Sequence, residues 1–165
     1  MTAHSVLTRN FQWLIKELLR GAIQKKDDFS GIGIVVYDCR LLDKIQHSSL
    51  RPSTKCPQGF RMDEDSTVKF LLGISSSVHS LHDGFHFFNE KGFLTHLSQY
   101  FVPPVIPEIE SNESYGTRYH SAFYGSYVRG VVLTGVVLHC TEAFIFNKGK
   151  ACRIQDELSA CHQPK

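Results

Sequence analysis

The sequence lacks the spacing of a structural zinc site. Its five cysteines, Cys39, Cys56, Cys140, Cys152 and Cys161, form no CxxC pair and no Cys/His ligand repeat, so the odd count reads as reduced thiols. No apolar run approaches the ~18 residues of a spanning helix, and no basic segment leads into an apolar one at the N-terminus, which argues against a membrane partner and a secretory leader. Charge of one sign is missing too. With 18 Lys and Arg against 16 Asp and Glu, the formal net charge is +2, too mild for a nucleic-acid polymer partner. No internal repeat or low-complexity tract occurs. What remains is ordinary globular usage, 42% apolar and 21% charged over 165 residues, which fits one core in a soluble, cytoplasmic protein.

The apolar pattern alternates between helix and strand. Phe11, Leu14, Ile15, Leu18, Leu19 and Ala22 fall at helical spacing, and "IGIVVYD" (32–38) is an apolar run of buried-strand type. Residues 39–63 read as loop with at most one short strand. A second helix is expected in "DEDSTVKFLLGISSSV", where Asp63 to Ser66 supply acids and caps and Val68, Leu71, Leu72 and Ile74 supply the apolar face. "GFHFFNEKGFLTHLS" reads as a hairpin turning at "NEKG". "YFVPPVIPEIESNES" is too broken by proline for regular structure, and "YGTRYHSAFYGSYV" is a turn feeding a helix capped by Thr117. Strands at 131–138 and 142–147 close the domain, 11–150, and 151–165 read as a polar tail. The class is α/β: a single domain with a mixed central sheet flanked by helices.

Two short segments carry chemistry. "SLHDGFHFF" sets a carboxylate and a glycine at the mouth of an aromatic strand. Asp83 there suits a divalent cation or a hydroxyl proton, and Gly84 suits close approach of a flat ligand. "GTRYH" places a hydroxyl, a guanidinium and an imidazole at a helix start, where backbone amides favour an anion. Each has a plainer reading. Asp83 with Gly84 also describes a hairpin-entry turn, and Arg118 an ion pair with Glu108 or Glu110. His86 and His96 read as packed or surface residues. Phe85, Phe87, Phe88 and Phe93 read either as core or as a stacking platform.

The two segments together, "LHDGFHFFNEKGFLTHLSQYFVPP" and "YGTRYHSA", resemble the Leu-His-Asp-Gly-Ala hairpin and the Gly-Thr-Arg-His-Arg-Ala-Ala segment of the diadenylate cyclase domain, which condenses two ATP into cyclic di-AMP. The resemblance implies that Asp83 binds Mg2+ or Mn2+ and assists the attacking 3′-hydroxyl. It also implies that Gly84 lies against the nucleotide and that Gly116, Thr117 and Arg118 hold phosphates. The chain departs from the pattern at three places. Phe85 replaces a small alanine and must stack on adenine or block it. Tyr119 and His120 replace His and Arg, leaving His120 as the nucleotide-binding counterpart of a permanent charge. The acidic stretch after the penultimate strand falls on "VLHC", where His139 or Glu142 is the substitute ligand and His82 a further metal-ligand candidate beside Asp83. Two functions follow from the resemblance: an active cyclase, which needs a homodimer, or a degenerate sensor that binds ATP or cyclic di-AMP. A domain that kept the fold and discarded the pocket is the third expectation.

Overall fold

A computed structural model describes residues 2–139 and 142–155. The chain opens with α1, Ala3–Lys25, capped by the Thr2 hydroxyl, which accepts from the Ser5 amide. Leu7 continues the stripe of Phe11, Leu14, Ile15, Leu18 and Ala22 on the buried side, so the helix starts well before the first periodic residue of the sequence reading.

Next come β1 (Ile32–Tyr37), a two-residue β2 (Ser48–Ser49), α2 (Asp65–Ile74), β3 (Phe85–Asn89) and β4 (Leu94–Tyr100). They are followed by α3 (Thr117–Gly125), β5 (Val131–Val137), β6 (Ala143–Asn147) and β7 (Lys150–Ile154). The seven strands form one sheet in the order β2-β4-β3-β1-β5-β6-β7. Among the described residues the single parallel pair is β1 with β3; the other pairings are antiparallel. A parallel neighbour needs a long crossover, and α2 lies within it. The expected mixed α/β class is therefore the observed one.

All six residues of β1 are buried, as expected of a central strand covered on both faces. Ile32, Ile34 and Val36 point to the side that α1 and α2 cover, with Phe88, Leu97, Leu133 and Ile145. Val35 and Tyr37 point to the other side, with Phe85, Phe87, Phe101, Phe144, Phe146 and the α3 residues Tyr119 and Phe123.

Three local readings are corrected. Residues 39–44 form a 3-10 helix, stabilised where Asp38 accepts from the Arg40 amide. Of the polar tail expected over 151–165, residues 151–154 belong instead to β7, which pairs along β6, and 156–165 lie outside the described residues. Thr117 does not cap α3; Gly116 is at the N-cap and Thr117 is the first helical residue. Among the described residues no helix is long and apolar enough to cross a membrane.

Candidate functional site

Gly84 answers first to the backbone. Its φ is +79°, and a Cβ there would lie 2.5 Å from the Gln99 carbonyl oxygen. Only glycine lets the chain swing from Asp83 into β3 while β4 runs this close. The Ser98 hydroxyl then donates to the Asp83 carbonyl at 2.8 Å. Ser98 itself has φ 49°, and its amide donates to His86 Nδ1 at 3.2 Å, where the β3–β4 register shifts. This bulge fixes the strand mouth. His86 is a packed residue: burial, with a smaller contribution from the Arg118 charge, holds its pKa down to about 3.

Asp83 projects from this turn with its side chain 54% exposed. Its Oδ1 stands 3.4 Å from His82 Nε2, and His82 Nδ1 faces the His79 carbonyl. A carbonyl only accepts, so Nδ1 donates to His79, and Nε2 is the ring atom that faces the carboxylate. A carboxylate oxygen and an imidazole nitrogen side by side, with the far nitrogen tied to a backbone carbonyl, are ligand types that a divalent cation uses. They are two ligands, not a closed cage. Among the described residues three metal-capable side chains meet within 4.8 Å at Asp38, Cys39 and Glu90, at the opposite ends of β1 and β3, where Arg40 already binds Asp38.

Across from Asp83 stands the start of α3. Gly116 leaves the helix without a side-chain cap, so its first amides are open to an anion. A cavity of about 390 Å³ lies between the two elements, bounded by Asp83, Gly84, Phe85, Thr117, Arg118 and Ser121. Leu50, Tyr100, Phe101 and Val102 form its apolar side. A second cavity, about 500 Å³, shares Thr117 and Arg118 and adds Gly116, Tyr115, His139 and Glu142. The fold thus gathers Asp83, Gly84, Phe85, Thr117 and Arg118 around one space and sets Gly116 and Glu142 around its neighbour.

Other candidates stand differently. His120 borders neither cavity. Its Nε2 donates to the Tyr115 carbonyl at 2.9 Å, leaving Nδ1 to accept from Ser111 Oγ at 2.9 Å, so it pins the loop before α3. Phe85 is buried, its ring edge-on to Phe101 at 5.4 Å and close above Gly33; the missing Cβ of Gly33 provides the room that the larger side chain needs. Phe87 and Phe88 are fully buried on opposite faces, and Phe93 lies under Arg61, so the four rings make no platform. Glu142 Oε1 accepts from the Tyr115 hydroxyl at 3.2 Å and pairs with Arg153 Nη2 at 2.7 Å. Arg118 makes no ion pair with Glu108 or Glu110; it binds two backbone carbonyls. Burial lowers its pKa, and the nearby Asp83 charge opposes that.

The motif reading misses Ser121 and Gly31. Ser121 is four residues after Thr117, hence on the same helical face. Gly31 matters only through its contact with Arg118, which no local pattern reveals.

No protein-family model matches the chain, and no curated protein does. Solved structures do. A hypothetical membrane spanning protein from Bacillus cereus superposes with a TM-score of 0.61 at 19% identity, covering 84% of this chain and 60% of that one. DacA from Staphylococcus aureus, in the form of a double mutant, superposes with a TM-score of 0.58 at 21% identity, covering 94% of this chain and 91% of that one. The chain spans 60% of the length of the Bacillus structure. At these identities the likeness is one of fold: a single α/β domain with a mixed seven-stranded sheet, similar in fold to DacA.

Proposed function

We propose that the two adjacent cavities bind an adenine nucleotide and that the chain is a diadenylate cyclase-type domain, condensing two ATP into cyclic di-AMP. The observation that carries this reading is that Asp83 and the Thr117–Arg118 pair, distant in sequence, border one cavity. The fold likeness to DacA supports it.

The α3 amides, the Thr117 hydroxyl and the Arg118 charge suit phosphates, and the apolar side at Leu50, Tyr100 and Val102 suits a base. Asp83 and His82 would hold Mg2+ or Mn2+, which neutralises triphosphate charge when bound. Asp83 would also accept the proton of the attacking 3′-hydroxyl. The 3′-oxygen forms its bond to an α-phosphorus while the bond from that phosphorus to pyrophosphate breaks. Two such events between two nucleotides require two domains face to face, hence a homodimer.

One observation favours a second reading, a sensor that binds ATP or cyclic di-AMP without turnover. Glu142, the carboxylate of the second cavity, is engaged by Arg153 and Tyr115, which leaves Asp83 as the exposed carboxylate of the pair.

Purified protein incubated with ATP and Mn2+, with product detected by mass spectrometry, tests the enzyme. Calorimetric titration of ATP and cyclic di-AMP tests the sensor. Asp83→Asn is expected to abolish product and to weaken Mn2+-dependent ATP binding; unchanged binding in that variant makes Asp83 a turn residue only.

A further inference from the structure

Arg118 is held in a way that a simple phosphate ligand does not need. Its Nη1 donates to the Ser30 carbonyl at 2.9 Å and its Nη2 to the His82 carbonyl at 3.4 Å. One guanidinium therefore joins three segments: the first turn of α3, the turn entering β1 and the turn that carries Asp83. The corner is shaped for it. Gly31 has φ +97°, and a Cβ at that position would stand 2.5 Å from Nη1, so any side chain there would push the guanidinium away from Ser30. Donation from two nitrogens in a fixed plane is a geometry an ammonium group does not reproduce.

The contact with His82 matters because of what it flanks. The His82 carbonyl is bound by Arg118, and the next carbonyl, that of Asp83, by the Ser98 hydroxyl at 2.8 Å. The peptide groups on either side of the Asp83 Cα are thus anchored to different elements, α3 and β4. Together they set the direction in which the carboxylate leaves the turn.

Taking the cavities as a nucleotide site, we propose that Arg118 is a positioning residue: it clamps the His82–Asp83 turn to β1 and α3 and so aims the metal-facing carboxylate. Three of its five N–H donors remain for the cavity, but its main action is exerted from behind, before any ligand arrives.

The test uses Arg118→Lys in the full chain, which keeps the charge and loses the fork. In ligand-free protein, hydrogen exchange at residues 79–84 is expected to become several-fold faster while the rest of the sheet is unchanged. Titration with Mn2+ alone is expected to show affinity about tenfold weaker, the scale of losing a group that orients a metal ligand. Gly31→Ala retains Arg118 but displaces Nη1, and is expected to reproduce the faster exchange at 79–84, a segment remote from it in sequence. A lysine variant with unchanged exchange and unchanged Mn2+ affinity, but weaker binding of inorganic tripolyphosphate, overturns the clamp and makes Arg118 a phosphate ligand alone. Faster exchange throughout the sheet also overturns it, in favour of a general structural role. If the unmodified protein binds neither Mn2+ nor ATP, the nucleotide-site reading fails, and exchange in the ligand-free variants still decides whether the clamp exists.

Discussion

The two faces of the sheet are packed by different chemistry. Under α1 and α2 the contacts are mainly aliphatic, with Leu14, Ile15, Leu18, Ile32, Ile34 and Val137 in one cluster. Under α3 they are mainly aromatic, with Phe85, Phe87, Phe101, Tyr119, Phe123, Phe144 and Phe146. Branched aliphatic side chains interdigitate beneath a helix of 23 residues and leave little space. Rings packed edge to face under a helix of nine residues and several loops cannot close every gap, and the two site cavities border that side. One face supplies cohesion, and the other borders the two cavities.

Deleting side-chain volume on the aliphatic face should give the largest effect. Phe11 is fully buried in α1, and Phe11→Ala is expected to cost about 3–5 kcal/mol through lost burial and the cavity left behind. Urea denaturation measures it. Binding of ATP by the fraction that remains folded should not change; a selective loss of affinity would show that the two faces are not separable.

The aromatic face should respond to added volume. An alanine at Gly33 would place its Cβ 2.6 Å from the Phe85 ring, and Gly33→Ala is expected to cost about 1–3 kcal/mol by overpacking. Phe85→Leu combined with it should recover most of that loss, because the two positions are register partners across β1 and β3. A double-mutant cycle reads the coupling. Additive losses would mean that Phe85 does not rest on Gly33.

Acid should act through His86. Its pKa falls from 6.5 to about 3 in the folded protein, so between those values the unfolded chain binds the extra proton. Stability is full above pH 6.5 and declines as pH falls toward 3. From pH 7 to pH 5.5 the expected loss is about 1 kcal/mol. Burial and the neighbouring His47 shift His96 in the same direction. His86→Asn retains an acceptor for the Ser98 amide and should flatten the slope; an unaltered slope assigns the effect elsewhere.

Much of this architecture was legible because burial writes a period into sequence. The stripe of α1, the apolar run of β1 and the hairpin of β3 and β4 each announce themselves by spacing. β7 does not, because four of its five residues are exposed and its order comes from pairing with β6. The site was legible in part. Asp83, Thr117 and Arg118 belong to motifs, whereas Tyr100, the last residue of β4, and Val102 just beyond it lie where the sequence turns proline-broken and has no period. His120 was misplaced by motif: two residues after Arg118 on a helix, it turns toward the preceding loop. Phe85 shows the limit of reading one position at a time, since its fit depends on Gly33 one strand away.

The smallest effect on stability is expected where the two faces meet the edge of the sheet. Arg153, on β7, is 56% exposed at its side chain and pairs with Glu142 at 2.7 Å, an arrangement that contributes about 0–1 kcal/mol at a solvent-facing position. Arg153→Ala should therefore leave urea denaturation almost unchanged. Its effect should appear instead in the second cavity. Glu142 borders that cavity beside Thr117 and Arg118, and without Arg153 its charge is less neutralised, which raises the negative potential where phosphates are proposed to enter. Tripolyphosphate titrated without metal should bind a few-fold more weakly to Arg153→Ala, and the difference should shrink as salt is raised, because the charges involved are near solvent. Arg153→Ala with Glu142→Gln should restore the affinity. If the single variant binds as tightly as the unmodified protein at low salt, the second cavity does not receive phosphate, and the polar end of the ligand belongs in the first.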